Sequence, residues 1–399
     1  MMNKLPLLAD YMARAEGPDL IRAVSPDGKY VKFKYTDTAI FNGHWDEITL
    51  NARGHVFRLS DGECVLRPWS KFFNFSELYS ETGQPTNVHN ILSGIPGLEP
   101  KFGLDDPHVA TDKLDGSLCI AGIVDGELMV TTSGSFTAWQ GAWANGWLIE
   151  NKVQTHMVPG LTYLFEIIAD EDLHPIRYDY EGCVLTGIID NATGVEQPYA
   201  ELQRFAAEAG IRVTQQVILN SFEETLEYVK SLPANKEGLV VTYLENGFKL
   251  KLKGPEFLAV QRLFHGLSEK SLLGTFDPDI MRFPEDSRKM VPEEFTELTD
   301  FMDTYEKRYS LKYYEILGFG LHCKLRNVDI KGREIYDRAY RMFGDECPRL
   351  IATACDFARK MVRAGDDLAE MERLGKALAK DTAEALEKTV LDENRNKEQ

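Results

Sequence analysis

Lys113-Leu114-Asp115-Gly116-Ser117, within ATDKLDGSLCIAGIV, places an amine, a carboxylate and a glycine in one short turn between apolar runs. A lysine can act as a covalent nucleophile only when neutral. With an ordinary pKa of about 10.4, on the order of one in a thousand is neutral at pH 7. Desolvation or neighbouring positive charge must lower that value. Asp115 lies two residues on, where strand alternation puts it on the face of Lys113. Gly116 lets the backbone approach a phosphate or sugar closely. The same pentapeptide would also serve as an exposed loop with a charge pair, so its meaning depends on what the rest of the chain supplies.

Four further segments are candidates. In NARGHVFRLSDGECVLRPWSKFFNFSEL, Arg53 precedes one strand and Lys71 follows the next; arginine suits bidentate phosphate contact and lysine gives a mobile point charge. They would equally serve as exposed cations beside core aromatics. In TYLFEIIADEDL, Glu166 interrupts an apolar strand, where a carboxylate is costly unless paired, metal-bound or turned to solvent. In NKEGLVVTY, Glu237 and Gly238 stand at the entry to an apolar strand, where a turn carboxylate is also commonly just solvated. In FKLKLKGPEF, Lys249, Lys251 and Lys253 alternate with apolar residues, so the three amines share a face. That row is either a rail for phosphate, depressing the pKa of a nearby lysine, or an edge strand guarded by lysines.

The elements that must hold these groups read as many short β-runs up to about residue 255, from KYVKFKYT to FKLKLKG, separated by DGK, DGE, VDGE and ENG turns. PYAELQRFAAEAG and FEETLEYVKSLP are the clearest helices there. This spacing predicts antiparallel sheets in an α+β domain over residues 1–259. After Pro255 the apolar period changes to about 3.6, in EEFTELTDFMDTYEKRYSLKYYEIL, GREIYDRAYRMF and CPRLIATACDFARKMVRAG, predicting an all-helical domain over 260–399. The 399 residues, 43% hydrophobic and 27% charged, are those of a soluble globular chain with no membrane span. Six scattered cysteines, without a Cys-x-x-Cys pair, are expected to be reduced thiols of a cytoplasmic protein. A formal net charge of −18 opposes nucleic-acid binding on average, but much of the acid lies in the C-terminal part and leaves room for a local basic groove. Neither G-x-x-x-x-G-K-[ST] nor a post-strand G-x-G-x-x-G occurs.

Taken together and in order, Arg-Gly with Lys-Phe-Phe-Asn, Lys-x-Asp-Gly-Ser, Phe-Glu-Ile, Glu-Gly-x-Val-Val and Lys-x-Lys resemble the motif series of the covalent nucleotidyltransferases, the superfamily of ATP-dependent ligases and capping enzymes. RPWSKFFNFSEL, followed by a helical domain where others carry an OB-fold, resembles the phage RNA ligase 1 family, whose T-even members repair cleaved tRNA. The resemblance implies an ATP-dependent RNA ligase joining 5′-phosphate and 3′-hydroxyl ends through lysyl-AMP and adenylated RNA. It implies Lys113 as nucleophile, with Asp115 and Gly116 in its pocket and Asp115 assisting strand closure. Glu166 would contact the ribose and stand second to Glu237 as a metal ligand. Glu237 would hold magnesium or manganese through water. Lys251 and Lys253 would meet the α-phosphate (Lys249 and Lys251 being the alternative register), and Arg53 and Lys71 the phosphates of ATP or pyrophosphate. It further implies an RNA partner such as a tRNA anticodon loop, a monomer, and a cytoplasmic setting, the host's if phage-encoded.

One departure stands out: ADEDLHPIRYDYEG lacks the family's Pro-x-Asn-Arg-Ile-Val run, leaving His174, Arg177 or Tyr180 as substitutes. In the helical domain, Lys307, Arg308, Lys312, Lys324 and Arg326 interleave with Tyr305, Tyr309, Tyr313 and Tyr314. Helical spacing makes the tyrosines core and the cations solvated; contact with RNA is the other reading. Rival functions are a DNA ligase or capping guanylyltransferase, against which the lack of a β-rich C-terminal segment counts, and a non-catalytic RNA-end-binding protein.

Overall fold

A computed structural model describes residues 5–80, 84–95, 106–291, 295–326, 333–344 and 347–397. The chain divides into two compact units, Met1–Phe264 and His265–Gln399.

The first unit carries the predicted hairpins. Strands β1 (Leu20–Val24), β2 (Tyr30–Tyr35), β3 (Arg53–Arg58) and β4 (Cys64–Leu66) form one sheet in chain order. β5 (Phe73–Asn74) and β6 (His108–Lys113) then enter a second sheet that the chain completes only much later. Next in sequence, β7 (Ser117–Val124), β8 (Glu127–Thr132), β9 (Leu161–Ile168) and β10 (Gly182–Asp190) build a third, in the order β10-β9-β7-β8. β11 (Gln216–Val217), β12 (Gly238–Tyr243) and β13 (Lys249–Lys253) return to β5 and β6, giving the order β11-β6-β12-β13-β5. The pairs are antiparallel, except that β5 runs parallel to β13. The β7–β8 turn is the expected Asp-Gly type, with Asp125 and Gly126 both at positive φ (51° and 87°).

Alternation along the strands distributes the apolar residues between cores. Cys119, Phe165, Ile167 and Leu185 pack with Ala144 and Leu148 of helix Trp139–Glu150 and with Phe205 of helix Tyr199–Ala209. The opposite face of β7 and β9, through Ile120 and Leu164, packs on Val56 and Leu66 of the first sheet. Leu239, Val241, Leu250 and Leu252 bury against Phe222 and Val229 of helix Phe222–Lys230. Each such side chain contributes about 1.5–3 kcal/mol on burial, enough in sum to fix the strand registers that the site depends on.

The second unit is helical. Thr296–Leu325, Glu334–Phe343, Arg349–Ala364 and Leu368–Lys397 are its long members, and the predicted start at Glu293 lies outside the described residues. In Arg349–Ala364 the buried residues Leu350, Ala354, Phe357, Ala358 and Met361 follow the 3.6 period. Tyr305, Tyr309 and Tyr313 are buried, Arg308 pairs with Glu393 at 2.8 Å, and the buried Lys312 pairs with Glu315 at 3.0 Å. The core reading of this tyrosine row therefore holds for three of its four members; Tyr314 is exposed. Among the described residues, no helix is long and apolar enough to cross a membrane.

Candidate active site

Register builds the centre. β12 lies between β6 and β13, and Gly238 is the pairing partner of Lys113 on one side and of Lys253 on the other. Both amines thus emerge beside residue 237, and both reach the same oxygen. Lys113 Nζ lies 2.7 Å and Lys253 Nζ 3.1 Å from Glu237 Oε1. Gly238 is required for this approach, since a Cβ there would fall 1.8 Å from the Leu252 carbonyl oxygen. The second oxygen, Glu237 Oε2, is buried with no hydrogen-bond partner among the described residues. A buried carboxylate oxygen without a partner is costly unless a ligand completes it.

Glu166 approaches from the neighbouring sheet. Its pairing partners are Val184 and Leu118. Alternation puts it on the face of the wholly buried Leu164, and Glu166 itself is half-buried. Burial pushes its carboxyl up to about 7, with Lys113 opposing that rise. At neutral pH it can donate as well as accept a hydrogen bond. Gly116 permits the closeness of the two strands: a Cβ there would meet the Ile167 carbonyl oxygen at 2.3 Å and Glu166 Cγ at 3.0 Å.

Asp115 turns instead to the segment that departs from the family's pattern. Its Oδ2 accepts from the Ile176 amide at 3.0 Å, its Oδ1 lies 3.4 Å from His174 Nδ1, and its own amide donates to the Tyr178 hydroxyl at 2.9 Å. His174 Nε2 is 3.1 Å from Asp172, so the imidazole bridges two carboxylates. Those bonds, Asp115 first, hold His174 up at about 9 against the effect of burial. Burial alone would raise Asp115, but His174, the Ile176 amide and Lys113 bring its carboxyl below the usual range. Of the three substitutes named from sequence, His174 reaches the lysine turn. Tyr178, which sequence reasoning passed over, does so as well. Arg177 bonds the Asp170 carbonyl, and Tyr180 lies under Arg212. The only sequence signal for Tyr178 was its place beside Arg177 in IRYDY.

The remaining cations separate into two groups. Arg53 and Lys251 both lie over the Phe72 ring, at 4.7 and 5.4 Å from its centroid. Arg53 Nη1 is buried without a hydrogen-bond partner among the described residues. Lys251 is one alternation from Lys253, so these residues continue the line that starts at Lys113. Lys249 leaves it: Nζ pairs with Glu196 at 2.7 Å, donates to Thr242 and lies over Trp69. Lys249 is thus tied to Glu196, whereas Lys253 meets the carboxylate that also holds Lys113. Lys71, the other cation expected at the phosphates, sits in an aromatic box. Its side chain is 1% exposed, boxed by Tyr35, Trp45 and Phe73 with Glu77 at 3.8 Å. From there it secures Phe73, the residue that pairs β5 to Leu250 of β13.

The model of a family described as RNA ligase matches residues 51–257, the span that holds Arg53, Lys113, Glu166, Glu237, Lys251 and Lys253. The chain belongs to this RNA ligase family. A protein of Thermovibrio ammonificans named "Putative RNA ligase" is 25% identical over 236 residues, 56% of this chain and 57% of its own length. The match thus spans little more than half of that relative. A solved archaeal ATP-dependent RNA ligase is similar over 75% of this chain and 76% of its own, at 15% identity and a TM-score of 0.46. A Naegleria gruberi RNA ligase with pyrophosphate is similar over 39% and 51%, at 19% identity and a TM-score of 0.33.

Proposed function

We propose that this chain is an ATP-dependent ligase that seals RNA ends through a lysyl-AMP. The observation that carries the reading is the convergence of Lys113 and Lys253 on Glu237 Oε1, within the span matched by the family. In the first step the Lys113 amine, freed of its proton, attacks the α-phosphorus of ATP. The N–P bond forms as the bond to the bridging oxygen breaks, and pyrophosphate leaves. Lys251 and Lys253 neutralise charge on the α-phosphate, and Arg53 meets the outgoing phosphates. Glu166 faces the ribose.

A divalent cation fits this site in one manner. Among the described residues no three His, Cys, Asp or Glu side chains cluster as a metal cage. The unpartnered Glu237 Oε2 suits a cation held through water. When bound, magnesium or manganese supplies further neutralisation of the triphosphate.

In the later steps the 5′-phosphate of an RNA takes AMP from Lys113, and a 3′-hydroxyl displaces it to close the strand. Asp115, held by His174, assists that closure. The family resemblance favours a cleaved tRNA anticodon loop as substrate, a monomer, and action in the cytoplasm.

The test is incubation with magnesium and ATP labelled in the α-phosphate. Label is expected on the protein, released by acid and stable to base, and absent from Lys113→Ala. No adduct on the natural chain, or an adduct surviving that substitution, overturns the proposal. Label from GTP but not ATP would turn it to a capping enzyme, and sealing of nicked DNA but not RNA to a DNA ligase.

A further inference from the structure

Beyond Arg53 the line of cations does not end. In the β2–β3 pairing Lys34 is the direct partner of Arg53, so two like charges face each other on one side of the sheet. Such a pair weakens a sheet unless something negative lies between its members. Lys34 is exposed, and among the described residues neither it nor Arg53 has a carboxylate within ion-pair distance. The turn Ser133-Gly134-Ser135 closes the other side. A Cβ on Gly134 would lie 3.3 Å from Lys34 Cδ and 3.9 Å from its Nζ. A Cβ on Gly54, whose φ is +98°, would lie 2.9 Å from Ser133 Cα, so the turn rests directly on the backbone beside Arg53. The buried Lys32, two residues before Lys34, holds the same turn through Thr131 Oγ1 and the Thr132 and Ser135 carbonyls. The result is a rigid ledge of backbone and two unneutralised cations.

We propose that Lys34 and Arg53 receive the β- and γ-phosphates of ATP, making Lys34 a binding residue for the triphosphate tail and for pyrophosphate. The inference rests on the nucleotidyl-transfer reading for the identity of its ligand. The order along the site supports it: Lys113 and Lys253 at the nucleophile, then Lys251 and Arg53 around Phe72, then Lys34. A chain of phosphates anchored at its α-phosphorus by Lys113 would run outward along that order. A charge-assisted contact of this kind is commonly worth about 1.5–3 kcal/mol, or roughly tenfold to a hundredfold in affinity.

The experiment measures binding of ATP, AMP and inorganic pyrophosphate, each with magnesium, to the full chain and to Lys34→Ala and Lys34→Arg, alongside the ATP concentration that half-saturates adduct formation. For Lys34→Ala, ATP and pyrophosphate are expected to weaken by about tenfold or more. AMP affinity should stay within about twofold, and Lys34→Arg should regain most of the loss. Lys34→Ala binding pyrophosphate like the natural chain, or losing ATP and AMP equally, overturns the assignment. Pyrophosphate binding that depends on Lys34 in a chain forming no adduct would sink the ligase reading while leaving this site standing. Normal adduct formation with Lys34-independent pyrophosphate binding would do the reverse.

Discussion

Lys113 is held by Glu237 at 2.7 Å, and the oxygen that holds it is shared with Lys253 at 3.1 Å. One carboxylate oxygen thus answers two ammonium groups, and the two substitutions that break this arrangement are unequal. Lys113→Ala leaves Glu237 paired with Lys253, and should cost roughly 1 kcal/mol of stability while removing the adduct altogether. Glu237→Ala takes the shared carboxylate from two amines whose side chains are only 21% and 11% exposed. It should cost about 3–5 kcal/mol, the range for removing one member of a buried ion pair. Denaturant unfolding of the two variants checks the order, and an equal loss would show that the shared oxygen is not the keystone of the centre.

Gly116→Ala tests how closely β7 and β9 must approach. The added carbon meets the Ile167 carbonyl 2.3 Å away, a backbone atom that cannot step aside alone. Separation of the strands would cost about 1–3 kcal/mol and carry Glu166 away from Lys113. The expected outcome is a folded variant with lowered melting temperature and weakened ATP and AMP binding. Gly126→Ala, where no atom lies within 4 Å of the added carbon, separates the packing effect from strain, since its cost comes from a φ of +87° alone. AMP affinity unchanged in Gly116→Ala would mean that Glu166 does not set the nucleoside pocket.

The legible part of this site lay in residue types that are rare where they occur: a lysine before Asp-Gly, a glutamate inside an apolar strand, alternating lysines before Gly-Pro. Strand alternation put Lys251 and Lys253 on one face, and the hairpin spacing anticipated antiparallel sheets. What alternation does not give is which strands become neighbours. β6 is separated from the β12–β13 hairpin by more than a hundred residues of chain, and their adjacency makes Lys113 and Lys253 share an oxygen. For the same reason Lys71 reads in sequence as a cation beside aromatics, without showing that Tyr35 and Trp45 are the rings that box it. Lys34 carried no signal in sequence, because its meaning comes from the β2–β3 register that sets it against Arg53.

His174 joins the segment after β9 to the lysine turn, and the join is pH-dependent. Held at about 9 by Asp115 and Asp172, against about 6.5 in an unfolded chain, its charge stabilises the fold fully below pH 6.5. That contribution is lost as the pH rises through 9. The melting temperature of His174→Ala should therefore fall short of the natural chain's at pH 6, by about 2–4 °C for each kcal/mol. The gap should close by pH 9.5. Strand closure on pre-adenylated RNA, which needs Asp115 in place, should decline in the natural chain over the same interval. A gap that stays constant from pH 6 to 9.5 would mean that packing, not charge, is what His174 contributes.

Lys32 gives a pH dependence of opposite sign. Burial, with Lys34 adding to it, brings its amine down to about 7, far below the value near 10.4 expected in an unfolded chain. The unfolded state then binds more protons between those limits, so stability rises with pH across that window. Below pH 7 the fold carries a buried ammonium answered, among the described residues, by Thr131, the Thr132 and Ser135 carbonyls and the Phe136 face. Lys32→Met keeps the length of the side chain, removes that burden, and loosens the Ser133–Ser135 turn. It should be nearest the natural chain in stability at pH 6 and fall progressively behind by pH 10. Measuring each variant as a difference from the natural chain separates this effect from that of His174, because the untouched residue cancels. A Lys32→Met difference that does not move between pH 6 and 10 would show that the amine is not titrating in the fold, and that the turn beside Arg53 is held by packing alone.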